Sequence, residues 1–294
     1  MSIPALDLTI KPEVTGFFDA QSNTISYIVR DPASKSCAII DPVMEFDPSA
    51  GRLTFESADQ LIAHIQTHEL KLEWIIETHV HADHLSGAPY IQDQLGGQIG
   101  IGEHVLTVQE TFGKIFNEGT EFQRDGSQFD ALFSDGDTYQ IGDLSCVALH
   151  TPGHTPACMV HVIGDAAFAG DTLFMPDGGS ARADFPGGDA GQLYDSIQRV
   201  LSLPDEVRLF ICHDYGPGGR AIAWETTIGA QRRENIHVGG GKTRAEFIKF
   251  RTERDAQLAV PKLILPSLQV NMRAGEVPTD PDGNMVLKTP VNKL

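Results

Sequence analysis

The sequence predicts an α/β fold, an αββα sandwich in which two mixed β-sheets pack face to face and helices cover the outer faces. Three observations carry this reading. Short apolar, strand-like runs occur in both halves of the 294-residue chain, helical periodicities lie between them, and no internal repeat or low-complexity linker divides the halves.

Taken in order, residues 24–29 (TISYIV) and 37–40 (CAII) read as paired strands joined by the turn-rich DPASKS. Ser57 with Gln60 makes a capping-box signature, and Leu61, Ile62 and Ile65 give the helix that follows one apolar face. Trp74, Ile75 and Ile76 open a buried strand over about 74–78. Val105, Val108, Phe112, Ile115 and Phe116 then recur near helical spacing across 103–117. The middle turns β-rich, with runs at 138–149, 158–163 and 166–169 cut by Gly-Asp turns. Asp189 and Gln192 open another helix, in which Leu193, Ile197, Val200 and Leu201 recur at threes and fours. Residues 207–212 (VRLFIC) read as a last buried strand. After about 217 the chain is polar and helical, then ends in the apolar PKLILPSLQV and a Pro/Gly-rich tail.

Composition narrows the classes of function. A formal net charge of −18 argues against nucleic acid or an anionic membrane as partner. Cys37, Cys146, Cys158 and Cys212 are scattered, with no CxxC pair, and read as small buried hydrophobes. The opening MSIPALDLTIKPEV lacks a basic region followed by an apolar core, so no signal peptide is expected. No apolar run approaches the ~18 residues of a spanning helix. A cytoplasmic location is the expectation.

The chemistry concentrates in residues 78–84, THVHADH. If the chain stays extended out of the preceding strand, His79, His81 and Asp83 face one side and His84 turns away. Clustered imidazole and carboxylate at that pitch suggests a metal site. Three further candidates each follow an apolar strand: His154 in HTPGHTP, Asp171 in FAGDTLF and His213 in FICHDYGP. A sheet edge can hold such side chains rigidly around one cleft. HVGGGKT at 237–243 ends like a phosphate-binding loop, but the first glycine of that pattern would fall at Ile236 and no strand precedes it.

The succession THxHxDH, GHT, GDTLF, HDYG resembles the metallo-β-lactamase superfamily, which implies the αββα sandwich and a metal-dependent site at one edge of its sheets. A metallo-β-lactamase-like domain over 1–240 is then expected, with 241–294 a helical and extended segment packed on it. Positions for two metals are present: His79, His81 and His154 for one, Asp83, His84 and His213 for the other, with Asp171 between. A dinuclear zinc thioesterase similar to glyoxalase II therefore stays open.

Two stretches look different from the hydrolases. Arg182-Ala183-Asp184-Phe185 is similar to the Arg-x-Asp-Phe of persulfide dioxygenases, and LILPSLQVNMRAG resembles their bacterial Blh-like, type II branch. Pro176-Asp177 and Ser180-Ala181 depart from the GCGR-like text of the mitochondrial-type enzymes. The resemblance implies one Fe(II) per chain held by His79, His154 and Asp171, with His81, Asp83, His84 and His213 orienting ligands and waters around it. It implies oxidation of glutathione persulfide (GSSH) with O₂ and water to sulfite and glutathione, in a homodimer. Arg182 is the first candidate to bind the substrate, with Tyr215 at the same mouth. Arg232 and Arg233 are weaker candidates.

Overall fold

The computed structural model describes residues 3–4 and 7–293, so Met1, Ser2, Ala5 and Leu6 of the stretch read for a leader lie outside the described residues. The first half runs β1 (Glu13–Asp19), β2 (Thr24–Arg30), β3 (Ser36–Ile40), β4 (Val43–Asp47), β5 (Arg52–Thr54), α1 (Glu56–Thr67), β6 (Lys71–Ile76), β7 (Leu85–Ser86), α2 (Ala88–Leu95), β8 (Gln98–Gly102), α3 (Val105–Ile115) and β9 (Ala131–Phe133). The second runs β10 (Thr138–Ile141), β11 (Leu144–His150), β12 (Met159–Ile163), β13 (Ala166–Phe168), α4 (Ala190–Val200), β14 (Arg208–Phe210), β15 (Glu225–Thr227), α5 (Ile228–Glu234), α6 (Arg244–Asp255) and α7 (Ile264–Asn271).

Two six-stranded mixed sheets result, in the orders β1-β2-β3-β6-β8-β9 and β10-β11-β12-β13-β14-β15. A small third sheet, β5-β4-β7, was not foreseen. Strand periodicity builds the layers. Tyr27, Val29, Ala38, Ile40 and Ile76 point between the sheets and meet Cys146, Ile163, Phe168 and Phe210. Their alternates Ile28, Ile39 and Ile75 point outward onto Leu61, Ile65, Ile91 and Phe112 of α1, α2 and α3. Val147, Leu149, Val160 and Val162 likewise face outward, onto Leu193, Ile197 and Val200 of α4 and Phe247 of α6. The four cysteines are free and buried, as expected. No described helix is long and apolar enough to cross a membrane.

Local expectations need three corrections. The box at Ser57 does not form: α1 starts two residues earlier, after Phe55, with no side-chain cap. The Ser57 amide instead donates to Glu45 Oε1 of β4 at 2.9 Å, so a tertiary acceptor does the work of the cap. The run at 138–149 is two strands folded about Gly142, whose φ of +56° permits the tight turn. Strand β6 stops at Ile76, and the histidine run that follows is bent rather than extended.

The carboxyl-terminal segment contributes α6, opened by a capping box between Thr243 and Glu246, and α7. Thr243 thus caps a helix, and Lys242 Nζ donates to the carbonyl of Ile236. The HVGGGKT stretch has a structural use.

Candidate metal centre

Each predicted ligand follows the carboxyl end of a strand. His79 comes after β6 of the first sheet, and His154, Asp171 and His213 after β11, β13 and β14 of the second, so the strand ends of both sheets gather them. The ring centroids of His79 and His154 lie 5.1 Å apart, and His154 Nε2 is 3.4 Å from Asp171 Oδ2. One donor atom from each of His79, His154 and Asp171 falls within 4.8 Å of the others. His81, Asp83 and His84 form a second such group. His213 Nε2 joins the two, 3.2 Å from Asp83 Oδ2 and 3.3 Å from Asp171 Oδ1.

The expectation that His84 turns away fails. Because the loop after Ile76 curls, the His84 ring lies 4.2 Å from His81, buried inside the cluster. Alternation holds only for an extended chain.

Hydrogen bonds on the far side of each ring leave one nitrogen bare. His154 Nδ1 donates to the Arg182 carbonyl at 2.7 Å, which leaves Nε2 as the lone-pair side facing Asp171. His84 Nδ1 donates to the Leu85 carbonyl at 3.2 Å, and His213 Nδ1 has the Asn23 carbonyl at 3.3 Å. His81 Nε2 lies 2.9 Å from Asp41 Oδ1. The opposite atoms, His81 Nδ1, His84 Nε2 and His213 Nε2, are buried without a hydrogen-bond partner, as is Asp171 Oδ1. Buried polar atoms are nearly always satisfied. His213 Nε2 and Asp171 Oδ1 lie 3.3 Å apart, and His84 Nε2 belongs to the group around Asp83; unpartnered donors so placed, with the rings oriented from behind, are what a cation-binding site requires.

The electrostatics agree. Burial, with four histidine neighbours, holds His79 well below the usual imidazole range, so the ring is neutral and able to ligate. Burial and His81 push His84 down to about 4. Burial alone would raise Asp83, but His213, His84 and His81 outweigh it and keep its carboxyl ionised. His81 is the exception. Burial pulls it down, yet the charge and hydrogen bond of Asp41, with Glu77 at 3.5 Å, raise it well above the usual value.

Sequence reasoning missed three supports. Asp41, just past β3, accepts from the Thr78 amide at 2.7 Å and its hydroxyl at 2.8 Å as well as from His81. Asn271 at the end of α7 donates to the carbonyls of His81 (2.9 Å) and His84 (2.8 Å) and accepts from the Ser86 amide, so the carboxyl-terminal segment pins the histidine loop. Arg220 grips Asp177 and Asp214 with paired bonds of 2.6–2.8 Å, tying the loop after Asp171 to the loop after His213.

The motif glycines have steric reasons. A Cβ on Gly153, at φ +137°, would lie 2.2 Å from the Leu193 backbone nitrogen, where α4 packs on the turn that carries His154. Gly153→Ala is expected to destabilise the fold by on the order of 3 kcal/mol, combining forbidden backbone with overpacking. Chemical denaturation measures it, and a loss under 1 kcal/mol would show that α4 can retreat.

A cavity of about 850 Å³ opens beside the cluster, lined by Asp83, His84, His154 and Asp171 at the site and by Phe174 and Tyr215 among others. Arg182 lines it too, but its guanidinium is already committed. Nε and Nη2 hold Asp184 at 2.6 and 2.8 Å, and Nη1 holds the Ala259 carbonyl at 2.7 Å. Tyr215 is 61% exposed beside Phe174. Arg232 bonds the Leu201 carbonyl and Arg233 lies near Glu234; neither lines the cavity.

The profile of the metallo-beta-lactamase superfamily matches residues 21–213, a span that holds all seven histidines and aspartates of the cluster. A probable metallo-hydrolase of Burkholderia pseudomallei is 54% identical over 293 residues, covering 96% of this chain and 99% of its own. Glyoxylase B2 of Dictyostelium discoideum is 47% identical over 287 residues, covering 97% and 98%. The mitochondrial persulfide dioxygenase ETHE1 of Homo sapiens is 29% identical over 266 residues, covering 89% of each chain. Among solved structures, ETHE1 from Myxococcus xanthus matches with a TM-score of 0.71 at 29% identity, covering 90% of this chain and all of that one.

Proposed function

The chain belongs to the metallo-beta-lactamase superfamily, and from that premise we propose that it is a glutathione persulfide dioxygenase. It converts GSSH, O₂ and water to glutathione and sulfite at one Fe(II) per chain, held by His79, His154 and Asp171. One observation carries the reading: those three side chains bring donor atoms within 4.8 Å of one another beside a cavity large enough for a tripeptide-sized substrate. Two imidazoles and one carboxylate are the donor set that suits ferrous iron in oxygenases. Similarity to persulfide dioxygenases along nearly the whole chain supports it.

Ferrous iron in that set supplies the redox chemistry that the reaction of O₂ with a sulfur anion requires. The chain supplies the rest. The Arg182 carbonyl holds the His154 ring in one tautomer, and burial keeps His79 neutral. Phe185 packs edge-on against His154 at 5.3 Å and Phe174 against His213 at 6.0 Å, which limits water around the reacting sulfur. Asp83 Oδ2 and His213 Nε2, 3.2 Å apart, form a pair able to take a proton from the attacking water.

A specific observation favours a second reading, a dinuclear zinc thioesterase similar to glyoxalase II. His84 Nε2 and His213 Nε2 are bare beside Asp83, a donor set for a second ion. Metal analysis of anaerobically purified protein, with O₂ uptake on GSSH, decides between them. One iron per chain and persulfide-dependent uptake are expected. Two zinc ions bridged by Asp171, with thioester hydrolysis, would replace the oxygenase by the thioesterase.

A further inference from the structure

A protein of formal net charge −18 repels an anionic substrate at long range, so the cavity itself must attract it. Its cationic lining can be accounted for side chain by side chain. Arg182 is held by Asp184 and Ala259. Arg251 is buried, bonded to Asp255 through two nitrogens and to the Ser180 carbonyl through the third. Two cations differ. Arg254, in the last turn of α6, and Lys262, just before α7, line the cavity and are exposed. Among the described residues neither is ion-paired, whereas Arg182 and Arg251 are held by Asp184 and Asp255.

We propose that Arg254 and Lys262 bind the two carboxylates of the glutathione moiety, so that the carboxyl-terminal segment, beyond the span of the family profile, selects a dicarboxylate peptide as substrate. The inference rests on a glutathione-based substrate and holds for persulfide and thioester alike, because both carry the same tripeptide. Size agrees. About 850 Å³ far exceeds what a small inorganic sulfur anion needs and lies in the range of drug-sized ligands. Arg offers the planar fork that matches a carboxylate, and Lys a mobile point charge. The exposed ring of Tyr215 gives the same mouth an apolar wall for the tripeptide backbone.

The test compares Arg254→Ala, Lys262→Ala and the double variant with wild type. The two substrates are glutathione persulfide and the persulfide of glutathione diethyl ester, whose carboxylates are blocked. Wild type is expected to prefer the free acid in kcat/KM. Each substitution should reduce that preference about 10-fold or more, mainly through KM, the scale of a charge-assisted hydrogen bond. Arg254→Lys should restore part of it. Wild type that does not distinguish acid from ester, or a double variant that still does, would overturn the assignment. If wild type takes up no O₂ with either compound, the oxygenase reading falls. Calorimetric titration with reduced glutathione then decides the site on its own: at least 10-fold weaker binding in the double variant upholds it, and equal binding overturns it.

Discussion

Asp171→Ala is expected to strip the metal and abolish turnover together. Asp171 stands between the two groups of donors, its oxygens 3.4 Å from His154 Nε2 and 3.3 Å from His213 Nε2, and Oδ1 has no hydrogen-bond partner. Among the described residues its carboxylate makes no hydrogen bond that holds the fold, so the metal-free variant should unfold near the metal-free wild type. What disappears is the stabilisation that bound metal confers, because only the native state assembles the ligands. No neighbour can substitute. Asp83, the nearest other carboxylate to His213, sits on a loop whose carbonyls are pinned by Asn271. Asp83→Ala should keep much of the metal and lose activity or affinity by roughly 10–100-fold, the usual effect of a residue that orients ligands. Metal content by mass spectrometry and O₂ uptake measure both variants. If Asp83→Ala loses metal as completely as Asp171→Ala, the mononuclear assignment is wrong and the second group holds an ion.

How much of this was legible before the structure depends on how far apart in sequence the cause lay. The layers were readable because Ile39, Ile75 and Val147 alternate with Ala38, Ile76 and Cys146, a local pattern that decides which face a side chain takes. The convergence of His79, His154, Asp171 and His213 was readable because each follows an apolar strand. The orientation of His84 was not, because the bend after Ile76 is set by tertiary partners of Thr78 and His81. Arg182 was named for its charge, but nothing local says that the Ala259 carbonyl, 77 residues away, completes its bonding. Arg254 and Lys262 were invisible for the converse reason: on a polar helix and the loop after it they look like solvated charges, and only the fold turns them toward the cavity. Asp41 lies outside every motif, and Asn271 falls in the LILPSLQVNMRAG stretch without any local sign of what it binds. Their importance comes from strand pairing and helix docking over 37 to 190 residues.

Asp41→Ala is expected to cost more stability than loss of any metal ligand. The parallel register of β3 on β6 sets Ile40 opposite Ile76, which brings the next residue of one strand against Glu77 and Thr78 of the other. Asp41 takes a left-handed turn there, at φ +50°, and its buried carboxylate receives three bonds of 2.7–2.9 Å. His81 is also fully buried, and this carboxylate and Glu77 raise its pKa well above the usual value against the pull of burial. Alanine would leave the Thr78 amide and the buried His81 Nε2 facing a void. Breaking one side of a buried pair typically costs about 3–5 kcal/mol, more than the pair gains over an apolar replacement, because the abandoned charge stays desolvated. Asp41→Asn separates the contributions. Its side-chain oxygen can still accept from Thr78, so about 1–3 kcal/mol, the loss tied to the charged bond with His81, is expected. The effect should reach the site, since the Thr78 hydroxyl lies 3.0 Å from His79 Nδ1 and the His81 ring 4.1 Å from that of His79. Metal affinity should therefore fall in both variants, further in alanine. Urea unfolding of the metal-free proteins and metal titration of the folded ones measure the two effects separately. Equal stability of alanine variant and wild type would mean that the Asp41–His81 pair does not hold the loop.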